Sequence, residues 1–440
     1  MNILSVDFDK NMGKVKPMHA VNNGPKTPGA SQVKDNFEAF KAAGIPYARN
    51  HDANHCAAYG GEHIVDIYAI FPNFDADPYD PASYDFDLTD DYTADIVSAG
   101  TQVFYRLGAK IEHKRKKYCT IMPKDFHKWA VICEHIIRHY NEGWASGFNY
   151  GFEYWEIWNE PDLDTDDSPN KRTWSGTAKE FYEFYKVAAN HLKSCFPHLK
   201  IGGPALASKT GEWLDGFLEA ITADGKKTPM DFFSWHIYAP LPSRFIERAK
   251  LVREKLDKAG YTETESILNE WNYVCSWTDR FVDSIKAIIS IKGAAFTAAC
   301  MALCQYSSVD MLMYYDARVS TAFNGMFDFY TLRPLKGYYP FPMFNRLYRL
   351  GTAVECKSEN PDIYAVAAKN SDGESAIMIS YFCNEEDGAD IEITLDLSEK
   401  EKQYEIYILD EKRNCELCGN ATSGDKLTLK PNSVLLLNNK

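Results

Sequence analysis

Two glutamates in this chain stand in matching surroundings. Glu160 lies in the run Tyr154-Trp155-Glu156-Ile157-Trp158-Asn159-Glu160-Pro161-Asp162-Leu163, and Glu270 in Ser266-Ile267-Leu268-Asn269-Glu270-Trp271-Asn272-Tyr273. Each follows a short apolar stretch that reads as a buried strand, and Pro161, with no N–H to give a ladder, stops the first one. In a sheet-based enzyme chemistry collects at the C-terminal ends of strands, so each is a candidate acid, base or nucleophile; for Glu160 alone a solvated strand end is the other reading. The second glutamate breaks the tie. The two are 270 − 160 = 110 positions apart, which fits three βα units of about 30 to 40 residues and puts them on strands 4 and 7 of a (β/α)8 barrel. Two carboxyl groups facing each other across a barrel mouth are what glycoside hydrolysis needs. One protonates the departing oxygen while the other attacks the anomeric carbon or activates water.

Two further runs follow in order, Ile201-Gly202-Gly203-Pro204-Ala205 and Asp231-Phe232-Phe233-Ser234-Trp235-His236-Ile237-Tyr238. Together the four runs resemble family 39 of the glycoside hydrolases, which includes β-xylosidases and α-L-iduronidases, over most of the chain and weakly at both ends. The resemblance implies a retaining TIM-barrel enzyme with Glu160 as acid/base and Glu270 as nucleophile. It places Arg49 near the nucleophile and His51 on the sugar, both from the strand-2 end Arg49-Asn50-His51-Asp52, and it puts His236 and Tyr238 in the pocket with the tyrosine on the nucleophile. An Arg49 paired to some acid at the rim, or a His236 and Tyr238 satisfied inside the core, are the bland alternatives. Asn159 is the natural donor to the sugar 2-hydroxyl. The acid should be kept protonated by burial and a nearby negative charge, the nucleophile ionised by Arg49 and Tyr238. Trp158, Trp174, Trp235, Trp271, Trp277 and Tyr273 offer flat faces for sugar rings, and of these Trp271 and Trp174 are expected to wall the pocket. The β-xylosidases carry glutamates just after strand 8 that hold the terminal sugar. Here Asp316 and Arg318 stand instead, so those contacts do not transfer, and an arginine suits a carboxylated or differently shaped glycone.

The elements that must position these groups follow from periodicity. Strands are expected at 17–21, 45–49, 101–105, from 154, at 200–203, 230–238, 265–270 and 309–315. Helices are expected from Ser31 (N-cap, with Val33, Phe37 and Phe40 inward) to Gly44, and at 125–140, 177–195, 245–259, 281–304 and 340–350. Residues 53–87 read as a long ordered loop over the mouth. Beyond Gly351 short period-two strands indicate a β-sandwich. The fold class is α/β: a (β/α)8 TIM barrel with a C-terminal antiparallel β-sandwich domain. Its divisions are an N-terminal hairpin over 1–16 that joins the sandwich, a barrel over 17–350 and the sandwich over 351–440.

Bulk properties narrow the partners. The 440 residues carry a net charge of −14, so no broad cationic face awaits nucleic acid, and Lys114-Arg115-Lys116-Lys117 reads as a solvated turn. The N-terminus lacks a signal-peptide layout and no apolar run approaches a membrane span, from which a cytoplasmic enzyme is expected. The 11 cysteines lack framework spacing, and Cys415 and Cys418 have no second pair to complete a zinc site. The four aspartates among Asp162, Asp164, Asp166 and Asp167 lack the glycine and terminal glutamate of a calcium loop and read as a hydrated acidic rim. A metal-dependent barrel hydrolase would want His-x-His at strand 1, where Met18-His19-Ala20 has one histidine. No cofactor or metal is expected, the partner is a carbohydrate, and the oligomeric state is open. The reading is therefore a retaining exo-glycosidase of β-xylosidase type. The alternatives are an arabinoside, galactoside or uronic acid glycone, a transglycosidase, or a non-catalytic sugar-binding barrel.

Overall fold

The computed structural model describes residues 2–28, 34–53, 63–319, 321–385 and 388–439, apart from the side chain of Asp224. The chain opens with one long strand, β1 (Asn2–Lys14), and then enters a closed parallel barrel. Its staves are β2 (Ala20–Asn22), β3 (Tyr47–Arg49), β4 (Gln102–Leu107), β5 (Tyr154–Ile157), β6 (Lys200–Leu206), β7 (Phe232–Tyr238), β8 (Glu265–Asn272) and β9 (Met311–Tyr314), in chain order with β9 closing on β2. Outside run α1 (Phe37–Ala42), α2 (Ile67–Ile70), α3 (Asp87–Ser98), α4 (Phe126–Glu142), α5 (Ala178–Cys195), α6 (Glu212–Thr222), α7 (Ser243–Lys258), α8 (Phe281–Ile288), α9 (Ile291–Gln305) and α10 (Pro340–Leu350).

Local chemistry sets several of these boundaries. Asp125 accepts from the Lys128 N–H at the start of α4, Gly143 ends that helix at φ 71°, and Thr177 with Glu180 forms a capping box on α5. The single helix expected over 281–304 is two, α8 and α9, bent by 79°, and the Ser290 side chain caps the second. Neither α3 nor α6 was foreseen. The buried face of α3 is Thr89, Tyr92, Thr93 and Ile96, so its stripe is only half apolar and hides from a hydrophobic-periodicity reading. The expected N-cap Ser31 and Val33, and residues 54–62 of the expected roof, lie outside the described residues. The rest of that roof contains α2 and a 3-10 turn, Pro81–Ser83.

Beyond the barrel come β10 (Thr352–Ser358), β11 (Ile363–Lys369), β12 (Ser375–Tyr381), β13 (Ile391–Leu397), β14 (Tyr404–Leu409), β15 (Asn414–Ala421), β16 (Lys426–Leu429) and β17 (Ser433–Asn439). With β1 they form one nine-stranded sheet in the order β15-β14-β17-β12-β11-β10-β1-β13-β16. It curls over its own core, which includes Leu4, Phe8, Ile377, Leu395 and Leu435, and this is the C-terminal β-sandwich domain. The N-terminal segment does join it, but not as a hairpin. β1 is a single irregular strand, antiparallel to β10 and parallel to β13, with register shifts between Asp7 and Asn11 and between Asn11 and Lys14. Helix α9 lies against β11 and β12, and Ser380 Oγ donates to the Ala295 carbonyl at 2.8 Å. Among the described residues no single helix is long and apolar enough to cross a membrane.

Candidate active site

Residues two apart on a strand share a face, and the barrel interior changes character over one such step. The lower layer is apolar: Ala20, Phe104, Tyr154, Phe232, Ile267, Met311 and Met313 cluster there. Two positions on, toward the C-terminal mouth, stand Asn22, Arg106, Glu156, Ser234 and Asn269, all fully buried and polar. Burying that many polar groups is tolerable only if they satisfy one another, and Arg49 is the hub that does so. Its Nε donates to Glu156 Oε2 at 2.7 Å, Nη1 to Glu270 Oε1 at 2.7 Å and to Asn22 Oδ1 at 3.1 Å, and Nη2 to Asn159 Oδ1 at 2.7 Å. Glu156 Oε1 in turn accepts from Ser234 Oγ at 2.6 Å and Asn269 Nδ2 at 2.5 Å.

Two departures from strand regularity aim the glutamates. The register between β7 and β8 slips between Trp235 and His236, so that Leu268 faces Trp235 but Glu270 faces His236. One residue is thereby extra, and Asn269 and Glu270 both face the barrel axis. At the end of β5 the backbone turns through positive φ at Trp158 (73°) and Glu160 (49°). This swings Trp158 outward onto Trp129, Trp174 and Phe184 and leaves Asn159 and Glu160 at the mouth. The turn is held from both sides. Glu160 N–H donates to the Ala205 carbonyl at 2.9 Å, and Trp158 Nε1 donates to the Thr173 carbonyl at 2.8 Å. Gly203 lets β6 approach, since a Cβ there would meet the Ile157 carbonyl oxygen at 2.7 Å.

The two glutamates end in one cleft with different neighbours. Glu160, Glu270 and His236 each bring a ligand-type atom within 4.8 Å of the others. His236 Nδ1 lies 2.7 Å from Glu160 Oε1 and 3.5 Å from Glu270 Oε2. Burial pushes the Glu160 carboxyl up to about 8, with the charge of Asp162 adding to it. Burial also raises Glu270, but the Arg49 guanidinium pulls against it, and Tyr238 donates to its Oε2 at 3.0 Å. Burial lowers both His236 and His51, so the imidazoles are neutral near pH 7. A divalent cation among Glu160, His236 and Glu270 would lie beside the Arg49 guanidinium, already 2.7 Å from Glu270, and like charges argue against it. Cys415 and Cys418 both lie on β15, and among the described residues neither belongs to a group of three possible metal ligands.

The structure gathers most of the expected site. Glu160, Glu270, Asn159, His51 and Tyr238 line a cleft of about 710 Å³, with Arg49 and His236 directly beneath. His51 Nε2 is 3.9 Å from Glu270 Oε1, its Nδ1 faces Arg106 Nε at 3.3 Å, and Arg106 is anchored to Asp66 at 2.7 Å.

Four expected groups are not at the cleft wall. Trp271 is fully buried against Phe245, Phe296 and Tyr314; the extra residue at Asn269 reverses the alternation that would have pointed it inward. Trp174 packs on Phe126, Trp158, Phe181 and Phe184 behind the β5 turn. Asp316 and Arg318 are buried in an ion cluster. Arg318 Nη2 is 3.4 Å from Asp52 Oδ2 and 3.6 Å from Asp316 Oδ2, and Asp316 Oδ1 accepts the Arg318 N–H at 2.6 Å. Burial, reinforced by Asp52, pushes Asp316 up to about 8 against the pull of Arg318.

The aromatic lining comes from Trp277, Tyr315 and Phe323, and the cationic lining from Arg172 and Arg248. Trp277 is one of the flat faces the sequence offers and not one expected to wall the pocket; nothing in the sequence marks which loop tryptophan turns inward. Asp162 is no part of a hydrated rim. It is fully buried and accepts the N–H groups of Ala207, Ser208 and Lys209 at 2.7 to 2.9 Å, tying the β5 loop to the β6 loop.

An eight-stranded parallel barrel with carboxyl groups at the ends of β5 and β8 defines the class: a TIM barrel with an acid-lined mouth. The sequence profile described as "Glycosyl hydrolases family 39" matches residues 115–375, more than half of the chain, and the chain belongs to that family. It is 29% identical over 174 residues to a β-xylosidase of Geobacillus stearothermophilus, covering 34% of this chain and 32% of the relative. A β-xylosidase of Caldicellulosiruptor saccharolyticus is 26% identical over 272 residues, covering 56% and 52%. The chain thus spans about half or less of these curated relatives' length. Among solved structures, a glucosidase from Croceicoccus marinus superposes with a TM-score of 0.81 at 24% identity, covering 100% of this chain and 98% of that one. A monomeric β-xylosidase from Caulobacter crescentus gives 0.69 at 16% identity, covering 99% of each.

Proposed function

We propose that this chain is a retaining glycosidase that removes a terminal sugar by double displacement, with Glu270 as nucleophile and Glu160 as acid/base. The observation that carries the mechanism is the separation of the two groups: their oxygens lie within 4.8 Å. Retaining enzymes hold their carboxyl groups about 5 to 5.5 Å apart, whereas inverting enzymes leave roughly 6.5 to 9.5 Å for a water between them. Glu160, protonated up to about pH 8, gives its proton to the departing oxygen as Glu270 attacks the anomeric carbon. Glu160 then takes a proton from the water that releases the sugar. Arg49 fixes which way the Asn159 amide faces: its Oδ1 is engaged at 2.7 Å, so its N–H2 is left to donate to the sugar 2-hydroxyl oxygen.

A β-xyloside is the favoured glycone, because two curated relatives are described as β-xylosidases. The case for a carboxylated glycone held by Arg318 loses its basis, since that guanidinium is engaged by Asp52 and Asp316. Initial rates on aryl β-D-xyloside, α-L-arabinoside, β-D-galactoside, β-D-glucuronide and α-L-iduronide, with Glu160→Gln and Glu270→Ala beside the parent, test the reading. Turnover of one glycoside that both substitutions abolish, with retained anomeric configuration by NMR, is the expected result. Turnover unchanged in Glu270→Ala would remove the nucleophile assignment, and an inverted product would remove the mechanism.

A further inference from the structure

The cleft wall beyond Glu160 carries a charge that the proposed hydrolysis does not use. If Glu160 protonates the glycosidic oxygen, then the wall on its far side from Glu270 faces the leaving group. That wall includes Leu163, Arg172, Ser208 and Arg248.

Arg248, in the second turn of α7, is half-buried. Its Nη1 donates to the His236 carbonyl at 2.9 Å, which ties the guanidinium to the backbone of the residue whose imidazole touches Glu160. Among the described residues it has no carboxylate within ion-pair distance. Asp162 acts on it from farther off, but both Asp162 oxygens already accept backbone N–H groups. A guanidinium has five N–H donors in a rigid fork that matches planar and tetrahedral oxyanions. Burial without a counter-charge disfavours that cation and lowers its pKa, so an anion arriving with the substrate would relieve the penalty. Arg172 already grips Asp164 through Nε at 3.0 Å and Nη2 at 2.7 Å, and it adds a cation to the same wall. The acids that line the cleft are Glu160 and Glu270. The first holds its proton, and the second is engaged by Arg49.

We propose that the leaving-group side of the cleft binds an anionic sugar, one carrying a carboxylate or a sulfate, with Arg248 as the residue that reads the charge. This rests on the assignment of Glu160 as the acid. A glycoside whose departing unit is glucuronic acid, or a sulfated hexose, is then preferred over the same glycoside of a neutral hexose.

The test compares kcat/KM for three disaccharides with one glycone, the one chosen by the aryl panel, joined to glucose, glucuronic acid or glucose 6-sulfate. The parent should favour an anionic unit by about tenfold or more at low salt, the scale of a charge-assisted pair, and the preference should shrink as salt screens it. Preference for glucuronic acid alone, or for the sulfate alone, names the source. In Arg248→Met the anionic-to-neutral ratio should fall to about one, and Arg248→Lys should keep part of it. Calorimetry of glucuronate, inorganic sulfate and glucose against the parent asks the same question without turnover.

A parent ratio near one with equal affinity for glucuronate and glucose overturns the proposal. So does an Arg248→Met variant that loses neutral and anionic turnover in equal proportion, which would make Arg248 a prop for His236. Neither outcome touches the two-glutamate mechanism. That mechanism fails separately if Glu160→Gln retains full activity.

Discussion

Glu160→Gln separates the protonated acid from every other role of that side chain. A carboxyl raised from 4.5 to about 8 prefers its proton in the fold by roughly 4 to 5 kcal/mol. The side chain is only 14% exposed, so little of this is screened away. The folded protein holds that proton more tightly than the unfolded chain does. The stabilisation is therefore complete below pH 4.5, declines as pH rises from 4.5 to about 8, and is gone above. Glutamine cannot ionise, so the variant lacks this decline. Urea melts at about pH 5 and about pH 9 should show the parent losing several kcal/mol more than the variant between the two. In parallel, the alkaline limb of the parent's kcat/KM profile should fall near 8 and vanish in the variant, with activity on poor leaving groups reduced on the order of 10²- to 10⁴-fold. An alkaline limb that persists unchanged in Glu160→Gln would show that another group sets it and that the buried acid has been misassigned.

Three other substitutions probe the surroundings. Tyr238→Phe removes the 3.0 Å donor to Glu270; a charge-assisted bond of about 1.5 to 3 kcal/mol is lost, so kcat/KM drops by about 10- to 100-fold and the acidic limb moves to higher pH, a shift that a purely steric role would not produce. Glu156→Gln releases Arg49 from one of its two carboxylates, so the acidic limb should move the other way, to lower pH; an upward shift in its pH–rate profile would contradict the sharing of the guanidinium. Asp162→Ala orphans the N–H groups of Ala207, Ser208 and Lys209 and should lower stability by about 3 kcal/mol in denaturant melts, and a loss below about 1 kcal/mol would mean that water replaces the carboxylate without penalty.

The barrel was legible because its staves are apolar runs cut off by turn residues, and Glu160 because Pro161 marks where a stave ends. Arg49 and Tyr238 were reached through the family resemblance, and each bonds Glu270. What escaped depends on backbone detail that period-two patterning does not encode. The extra residue between Leu268 and Glu270 turned Glu270 toward the barrel axis and Trp271 away from it. Positive φ at Trp158 and Glu160 gave Asn159 to the mouth and Trp158 to the core. Glu156 carries a legible signal, since a lone acid amid Trp155, Ile157 and Trp158 must be paired if buried. Asp316 and Arg318 misled because the second carboxylate on Arg318, Asp52, is 318 − 52 = 266 positions away and nothing local announces it.

The sharing of Arg49 bears on how the site manages charge. A carboxylate nucleophile fully neutralised by its own guanidinium would be ionised but sluggish, and one left alone in a dry barrel would take up a proton. Here one guanidinium serves two carboxylates, at 2.7 Å from each. In the proposed mechanism the Glu160 proton moves to the departing oxygen while the sugar passes through an oxocarbenium-like state, so the total charge is unchanged and positive charge develops on the ring beside Glu270. A carboxylate only partly neutralised by a shared guanidinium keeps negative charge to meet it, the direction in which preorganised charge favours the transition state over the ground state. Glu156 never touches the sugar in this scheme. It acts by holding half of Arg49, and the polar layer of Asn22, Ser234 and Asn269 acts by holding Glu156 and Arg49 in register beneath the mouth.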